Sequence, residues 1–373
     1  MIAKLTKATI PIVLMMMYVQ CINAQSKPNP ITTAVPFLKV SPDARSGSMG
    51  DIGVATAPDV NSIFLNVAKT PFNEASSSIG VTYTPWLREL DLKSLYLLSA
   101  SSYFKLNDKE AISFGLRYLS MGSLVFTDNV GNEIKSFKPS DVAYEAGYSR
   151  KLSDKLGIGL SVRYIHSKLA DNSTNTDYKS GSAVAADLAA YYVLKNGWSF
   201  GAAFTNLGSK IGYSSTDNTK SYIPANLNIG AVYTKHIDND NKISFGLDLN
   251  KLLVPTPPDP TNADKVANYN NKAVIGSWFS SYADAPGGFK EELQEVTVGL
   301  GTEYTYRKEF ALRAGYFSES KNKGDRQYLT AGAGGSFQGV TLNFSYLVPT
   351  GSNTSTSALK NTLRMSLLFD FNK

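Results

Sequence analysis

The chain has 373 residues, of which 18% are charged and 43% hydrophobic, and its formal net charge is +6. This charged fraction lies below the roughly 25% usual for soluble domains. No apolar stretch after residue 24 approaches the ~20 residues that a membrane-spanning helix needs, which excludes a helical membrane protein. High apolar content along the chain excludes a disordered one. The lysines are scattered rather than gathered in a stripe, so nucleic acid is not an expected partner.

Residues 1–24 have the pattern of a secretory signal peptide. Lys4 begins a basic start, Ile10–Val19 form an apolar centre, and Ala24 ends a cleavage site of small residues. Cys21 is the only cysteine, and the residue before it does not fit a lipoprotein site. We therefore expect Cys21 to leave with the signal peptide. The mature chain then carries a formal charge of +4 and no cysteine, which excludes disulfides, thiol catalysis and thiolate metal sites.

From Ser76 onward, apolar residues alternate with small or polar ones, which is the period of a β-strand. One face is continuously apolar and aromatic, while the other carries Gly, Ser, Thr, Asn and single charges. This contrast is typical of a lipid-facing exterior around a wet or crowded lumen. We predict fourteen strands, at 77–84, 92–104, 112–118, 142–148, 156–164, 184–194, 198–204, 227–233, 243–249, 296–304, 310–316, 326–337, 340–348 and 363–371.

The connections between these strands alternate between short and long. Short inner turns and long outer loops are the rhythm of a bacterial outer-membrane barrel, and an even strand count places both termini in the periplasm. Closure is required because a strand edge in lipid leaves backbone groups unpaired. We therefore predict an all-β fold, a 14-stranded antiparallel transmembrane β-barrel over residues 76–373, with a long extracellular loop at 251–291.

Residues 25–75 break the alternating pattern. They are rich in Pro and Gly and hold too few apolar residues for a separate domain, yet Val35–Leu38 and Ile63–Leu65 are suited to packing inside a lumen. We predict a hatch that fills the barrel. The alternative is a disordered periplasmic tail, which the proline content favours.

Part of this segment resembles the PorV (LptO) family of outer-membrane proteins in the type IX secretion system of Bacteroidetes. The resemblance rests on Ala34–Leu38, Ser41–Arg45, Gly47–Thr56 and Asn66–Lys69. Val67 departs from the Asn-Pro-Ala/Ser-Lys pattern of the wider family. The hatch residues identified in this way are Pro42, Asp43, Arg45, Gly47, Gly50, Asp51, Gly53 and Asn66.

The resemblance implies a FadL-like barrel with an N-terminal hatch. It also implies a non-enzymatic shuttle that binds the C-terminal signal domain of cargo, docks on the SprA/Sov translocon and delivers cargo to the surface attachment complex. Outer-membrane lipid would surround it. A PorP-like anchor for gliding or secretion machinery would share this fold and is a further alternative. A different class of function is a passive channel for hydrophobic small molecules, which needs an apolar lumen pocket and a lateral exit; Pro85 is the one hint of a kinked strand.

No catalytic site, metal site or cofactor is predicted. His166 and Ser167 are neighbours near a strand end, but adjacent residues on a strand point to opposite faces. A lipid-modifying enzyme would rest on His166 alone. Asp238–Asn241 lacks the Gly and the terminal Glu of a calcium loop and is better interpreted as an Asx-rich turn.

The long loop at 251–291 is the candidate binding element. It opens with Leu252–Pro258, a stiff extended segment, and later carries an apolar cluster. Apolar residues on an outer loop either contact a protein partner or fold the loop onto the barrel mouth. The candidate partner-binding residues, for translocon or cargo, are Pro257, Pro258, Ile275, Trp278, Phe279, Tyr282 and Phe289.

Overall fold

The computed structural model describes residues 28–86, 94–128, 130–169, 177–216, 219–352 and 360–371. The predicted signal peptide lies outside these described residues. Fourteen antiparallel strands close into one barrel, in which the first strand pairs with the last through Ser77 opposite Phe371. The strands are β1 Ser77–Pro85, β2 Leu95–Lys105, β3 Glu110–Met121, β4 Leu124–Thr127, β5 Glu133–Phe137, β6 Ser140–Lys151, β7 Leu156–Lys168, β8 Gly181–Val193, β9 Trp198–Gly208, β10 Asn226–His236, β11 Asn241–Leu252, β12 Val296–Tyr306, β13 Phe310–Ser318, β14 Gln327–Phe337, β15 Val340–Pro349 and β16 Leu363–Phe371.

All fourteen predicted strands are present, and the predicted barrel is confirmed. The pair β4 and β5 was not predicted. These strands form a separate hairpin inside the connection from β3 to β6. The side chains of Leu124, Val125 and Ile134 on this hairpin are 50–65% exposed. Strands of four and five residues with apolar side chains on both faces give no clear alternation, so the period of two could not reveal them.

The alternating pattern corresponds to the two sides of the barrel wall. On β7, Leu160, Val162 and Tyr164 are exposed on the outside, whereas Ser161 and Arg163 are buried on the lumen side. The exposed side is apolar because it faces lipid, and closure pairs every strand with two neighbours. Within the described ranges, no helix combines the length and hydropathy required to cross a membrane.

Residues 28–75, here called the hatch, fill the lumen. The hatch contains two short α-helices, α1 Ala44–Gly47 and α2 Ser62–Leu65, and two 3-10 helices, Pro36–Lys39 and Val67–Phe72. Its central apolar residues are fully buried, including Ile52, Val54, Ala55 and Ala68. The buried core of this protein is therefore the contact between the hatch and the inner face of the barrel.

Glycines on the inner wall let the hatch touch the strands. A Cβ atom added at Gly315 of β13 would lie 2.1 Å from the backbone N of Gly50. A Cβ added at Gly201 of β9 would lie 2.1 Å from the carbonyl O of Val54. Gly50 itself has a φ of 67°, a left-handed conformation that favours glycine. The small residues of the lumen face are thus needed for close approach rather than for a water-filled channel.

The hatch runs the full length of the barrel. At one end, the backbone N–H of Asn29 donates to the carbonyl O of Asn322, which lies in a long connection (2.8 Å). At the other end, Glu74 forms an ion pair with Lys308 in a short turn, at the same end as Phe371. The described chain therefore begins and finishes at opposite ends of the barrel. The periplasmic orientation of the termini stays a prediction.

Candidate functional site at the loop end of the barrel

The longest connection joins β11 to β12 and spans residues 253–295. It contains three helices, α3 Ala263–Asn271, α4 Val274–Ser280 and α5 Phe289–Gln294. Its opening residues Leu253 and Val254 are buried, and Val254 packs with Ile31 of the hatch and Tyr222 of another connection. The start of this loop is therefore part of the mouth of the barrel.

The inner side of α5 is held by ion pairs, here called the rim cluster. Lys251 at the end of β11 contacts Glu292 (Nζ to Oε2, 3.0 Å) and Glu295 (Nζ to Oε2, 2.7 Å). Lys323 from the connection between β13 and β14 contacts Glu291 (2.5 Å) and Glu295 (2.9 Å). These side chains are mostly buried, so the pairs are partly shielded from solvent. The rim cluster fixes the orientation of α5 on the barrel.

The opposite side of α5 is apolar and exposed. Phe289 is 77% exposed and Leu293, one turn later on the same face, is 58% exposed. On α4, Ile275 and Phe279 have the same spacing and are 65% and 75% exposed. With Tyr282, which is also exposed, these five residues are here called the apolar loop residues. Exposed apolar side chains in this number on a helical loop are typical of an interaction surface.

The seven predicted partner-binding residues divide into two groups. Four of them are exposed among the apolar loop residues (Ile275, Phe279, Tyr282 and Phe289). The other three are half-buried, namely Pro257, Pro258 and Trp278. The carbonyl O of Pro257 accepts a hydrogen bond from the Asn29 side chain (3.2 Å), so this part of the loop packs against the hatch. Leu293 was missed because one leucine beside glutamates gives no signal on its own.

Arg45 of the hatch motif forms a bidentate ion pair with the wall. Its guanidinium pairs with both carboxylate oxygens of Glu303 on β12 (2.9 Å each) and with Asp59 of the hatch (3.1 Å). Arg313 on β13 also contacts Glu303 (2.7 Å). Asp43 caps α1 by accepting from the backbone N of Ser46 (2.9 Å). Bidentate arginine–carboxylate pairs fix orientation as well as distance, so Arg45 sets the position of α1 in the lumen.

Gly47, Gly50 and Asp51 are placed along the side of the wall formed by β14 and β16. The backbone N–H of Gly50 donates to Thr330 Oγ1 (2.9 Å), and Asp51 accepts from the hydroxyl of Tyr328. Gly47 leaves no room for a side chain, since a Cβ there would lie 2.8 Å from a side-chain nitrogen of β16. These residues are needed for docking of the hatch.

Gly53 and Asn66 attach the middle of the hatch to the wall. Asp248 on β11 accepts from the backbone N–H of Gly53 (Oδ2, 2.7 Å). The Asn66 amide donates to the carbonyl O of Ala190 on β8 (2.9 Å), and its side-chain oxygen caps the 3-10 helix that begins with Val67. Asn66 therefore does the work of a cap, and Val67 fits the helix without a proline.

A cavity of about 140 Å³ lies between the hatch and the wall near the long-loop end. Pro42 lines it together with Lys39 from the hatch and Asn228 and Arg326 from the wall side. Burial, and then the charge of Arg326, lower the pKa of Lys39 to about 8. Pockets for hydrophobic ligands are mostly apolar and larger. This cavity is small, and charged and amide groups line it together with apolar residues such as Leu38, Phe64 and Phe317.

His166, Ser167 and Asp238 each contact different neighbours in the described chain. His166 Nδ1 contacts Ser182 Oγ on β8 (3.0 Å), while Ser167 faces the lumen and accepts from the hydroxyl of Tyr213 (3.0 Å). Asp238 accepts hydrogen bonds from its own turn. Within residues that the structure describes, no three His, Cys, Asp or Glu side chains are grouped as metal ligands.

The docking of α5 by the rim cluster is expected to depend on pH. Burial is the largest single influence on Glu291 and disfavours its charge, but the hydrogen bonds from Lys323 and the Gly287 backbone and the charge of Lys323 together outweigh it, so the pKa of Glu291 lies below its usual value. Its contribution to docking is present above the unfolded pKa, about 4.3, and is lost as the pH falls through the lower folded value. A spin label at Lys290→Cys should gain mobility as the pH falls from 6 to well below the unfolded pKa of about 4.3. Mobility that stays constant across this range would contradict the prediction.

Comparisons with known proteins agree on both family and fold. Residues 23–259 match the family described as type IX secretion system protein PorV. No curated protein matches the chain. Among solved structures, the Ralstonia pickettii toluene transporter TbuX has a TM-score of 0.52 at 10% identity, covering 88% of this chain and 98% of that one. The P. putida toluene transporter TodX has a TM-score of 0.52 at 13% sequence identity, and the match covers 90% of this chain and 99% of that one. The CymD monoaromatic hydrocarbon channel has a TM-score of 0.54 at 12% sequence identity, and the match covers 90% of this chain and 98% of that one.

At these identities the solved structures establish the fold alone, which is that of a FadL-like barrel with an N-terminal segment in the lumen. The family match covers more than half of the chain and includes the whole hatch motif. The chain therefore belongs to the PorV family and is an outer-membrane β-barrel component of the type IX secretion system.

Proposed function

We propose that this protein is a non-enzymatic shuttle, which binds the C-terminal signal domain of type IX cargo and presents it at the cell surface. The observation that carries the proposal is the set of apolar loop residues beside and on α5, the helix that the rim cluster holds in place. Binding to an exposed apolar surface loses less conformational entropy when that surface is already ordered. Phe279 and Phe289 are the most exposed of the set and suit the role of aromatic anchors.

The same surface is proposed to dock on a SprA/Sov-type translocon and later to release cargo to the surface attachment complex. This requires the long loops to face the outside of the cell and the short turns to face the periplasm, as in other outer-membrane barrels. Outer-membrane lipid then surrounds the exposed apolar side of the strands. A PorP-like anchoring role uses the same fold, but it does not require ordered apolar residues on the longest loop.

A passive channel for hydrophobic molecules is the second candidate. It is favoured by the fold shared with a toluene transporter and a monoaromatic hydrocarbon channel. Two features of this chain weigh against it. The hatch fills the lumen with buried side chains, and the cavity at the mouth is small, with Lys39, Arg326 and amide groups among its lining residues. An apolar molecule gains little in such a cavity, because it would desolvate polar groups without pairing them.

The proposal is tested by purifying the tagged protein from its native outer membrane in gentle detergent and identifying what accompanies it by mass spectrometry. A shuttle should be recovered with a very large barrel protein, or with secreted proteins that share a C-terminal domain. An unrelated outer-membrane barrel with the same tag controls for co-solubilised membrane proteins. Recovery alone, with a lipid or fatty acid inside the barrel, would contradict the shuttle and support the channel.

A further inference from the structure

Arg364 is the one lumen arginine of the described chain whose side chain makes no hydrogen bond. It lies on the inner face of β16 and is 0% exposed, and its Nε, Nη1 and Nη2 atoms have no acceptor. A guanidinium carries five N–H donors and cannot lose its proton in a protein. Arg364 is therefore a buried positive charge without a partner in the described residues.

The other lumen arginines do have acceptors. Arg45 and Arg313 share Glu303, and Arg163 pairs with two carboxylates. Arg117 donates to three carbonyl oxygens of the hatch. The lumen thus satisfies its buried cations, and the isolated Arg364 is an exception to that rule.

The hatch is what buries Arg364. A Cβ at Gly47 would lie 2.8 Å from Arg364 Nη1 and 3.0 Å from Arg364 Cδ, so the side chain lies directly against the backbone of α1. Its partner in the strand register is Ser345 of β15, whose hydroxyl is also buried and unpaired. If α1 moved away, water in the lumen would reach both groups.

A buried charge without a partner costs free energy, because it has lost its hydration and gained no acceptor. This cost exists only while the hatch is in place. It therefore opposes the favourable pairs of Arg45 and the other anchors of the hatch.

We propose that Arg364 is a built-in release device: its unpaired charge makes the hatch-filled lumen less stable than its anchors alone would make it, so that the hatch is poised to leave. The start of the hatch lies among the outer connections, since Ala34 N donates to Tyr222 O (2.8 Å) and Asn29 contacts Pro257 and Asn322. A partner that moves these connections therefore pulls directly on the hatch. The inference does not depend on which partner that is.

The test measures how often the hatch leaves, in the full-length protein folded in its membrane. Ala55→Cys, in a Cys21→Ser background, places a thiol at a hatch position that is 0% exposed. A bulky maleimide can label this thiol only after the hatch moves. Arg364→Met removes the charge and keeps an unbranched apolar stem, and it should slow labelling by roughly tenfold or more. Arg45→Met, which removes a paired guanidinium, is the matched control and should accelerate labelling.

A second variant keeps the charge and supplies a partner. Ser345→Asp places a carboxylate beside Arg364, and it should also slow labelling. Combining Ser345→Asp with Arg364→Met leaves the carboxylate unpaired and should reverse that effect. Faster labelling in Arg364→Met would overturn the proposal, because the guanidinium would then hold the hatch in place, through a bound anion or water.

Discussion

Replacing Phe279 and Phe289 together by serine is expected to lower secretion of type IX cargo at least tenfold and to leave the barrel folded. Both side chains are about three-quarters exposed, so their loss removes little packing within this chain. Aromatic anchors at protein interfaces contribute about 2 kcal/mol or more each. Since 1.4 kcal/mol corresponds to a tenfold change in affinity, two such anchors, about 4 kcal/mol together, correspond to roughly several hundredfold.

The measurement compares secreted cargo in the culture medium with cargo retained in the cell. Heat-dependent migration on gels reports whether the barrel is folded. Val130→Ser is the control, because Val130 is 82% exposed on the separate hairpin of β4 and β5. Normal secretion by the Phe279 and Phe289 variant would remove the apolar loop residues from the proposed function, and equal loss in the control would remove their specificity. Trp278 is a poorer target, because it is half-buried and its loss also disturbs the loop.

The strands of this barrel could be predicted from sequence because the two faces of each strand lie in different environments. Lipid lies on one side and the hatch on the other, so Leu160 and Val162 alternate with Ser161 and Arg163 along the whole strand. The hairpin of β4 and β5 lies outside the barrel and has no such contrast. Its short apolar strands therefore read as part of a loop.

The interior of the site could not be predicted, because its contacts join residues that are distant in the sequence. Arg45 pairs with Glu303 across 258 residues, and Asp248 accepts from Gly53 across 195. The hatch motif indicated which residues matter, but not which wall residues they contact. The clamped orientation of α5 was equally hidden, since it depends on Lys323 from a different connection.

Glu303→Gln is expected to release the hatch while the barrel itself persists. Glu303 is the shared acceptor of Arg45 and Arg313, and all three side chains are mostly buried. The amide keeps the shape of the carboxylate but removes its charge. Arg313 therefore loses its ion pair, and Arg45 keeps one ion pair, with Asp59. Removing one partner of a buried ion pair typically costs about 3–5 kcal/mol. The hydrogen bonds between β12 and its neighbours are unaffected, because they are formed by the backbone.

Loss of hatch docking should appear as a higher ion conductance in planar bilayers than that of the unaltered protein. Glu110→Gln is the matched control, since Glu110 pairs with Arg150 at the rim, where both side chains are partly exposed. Such surface pairs contribute about 0–1 kcal/mol, so this variant should stay closed. A closed Glu303→Gln barrel would mean that the backbone contacts of Gly50 and Gly53 hold the hatch without the ion pairs. An open one would show that a few buried ion pairs supply the stability of the docked hatch.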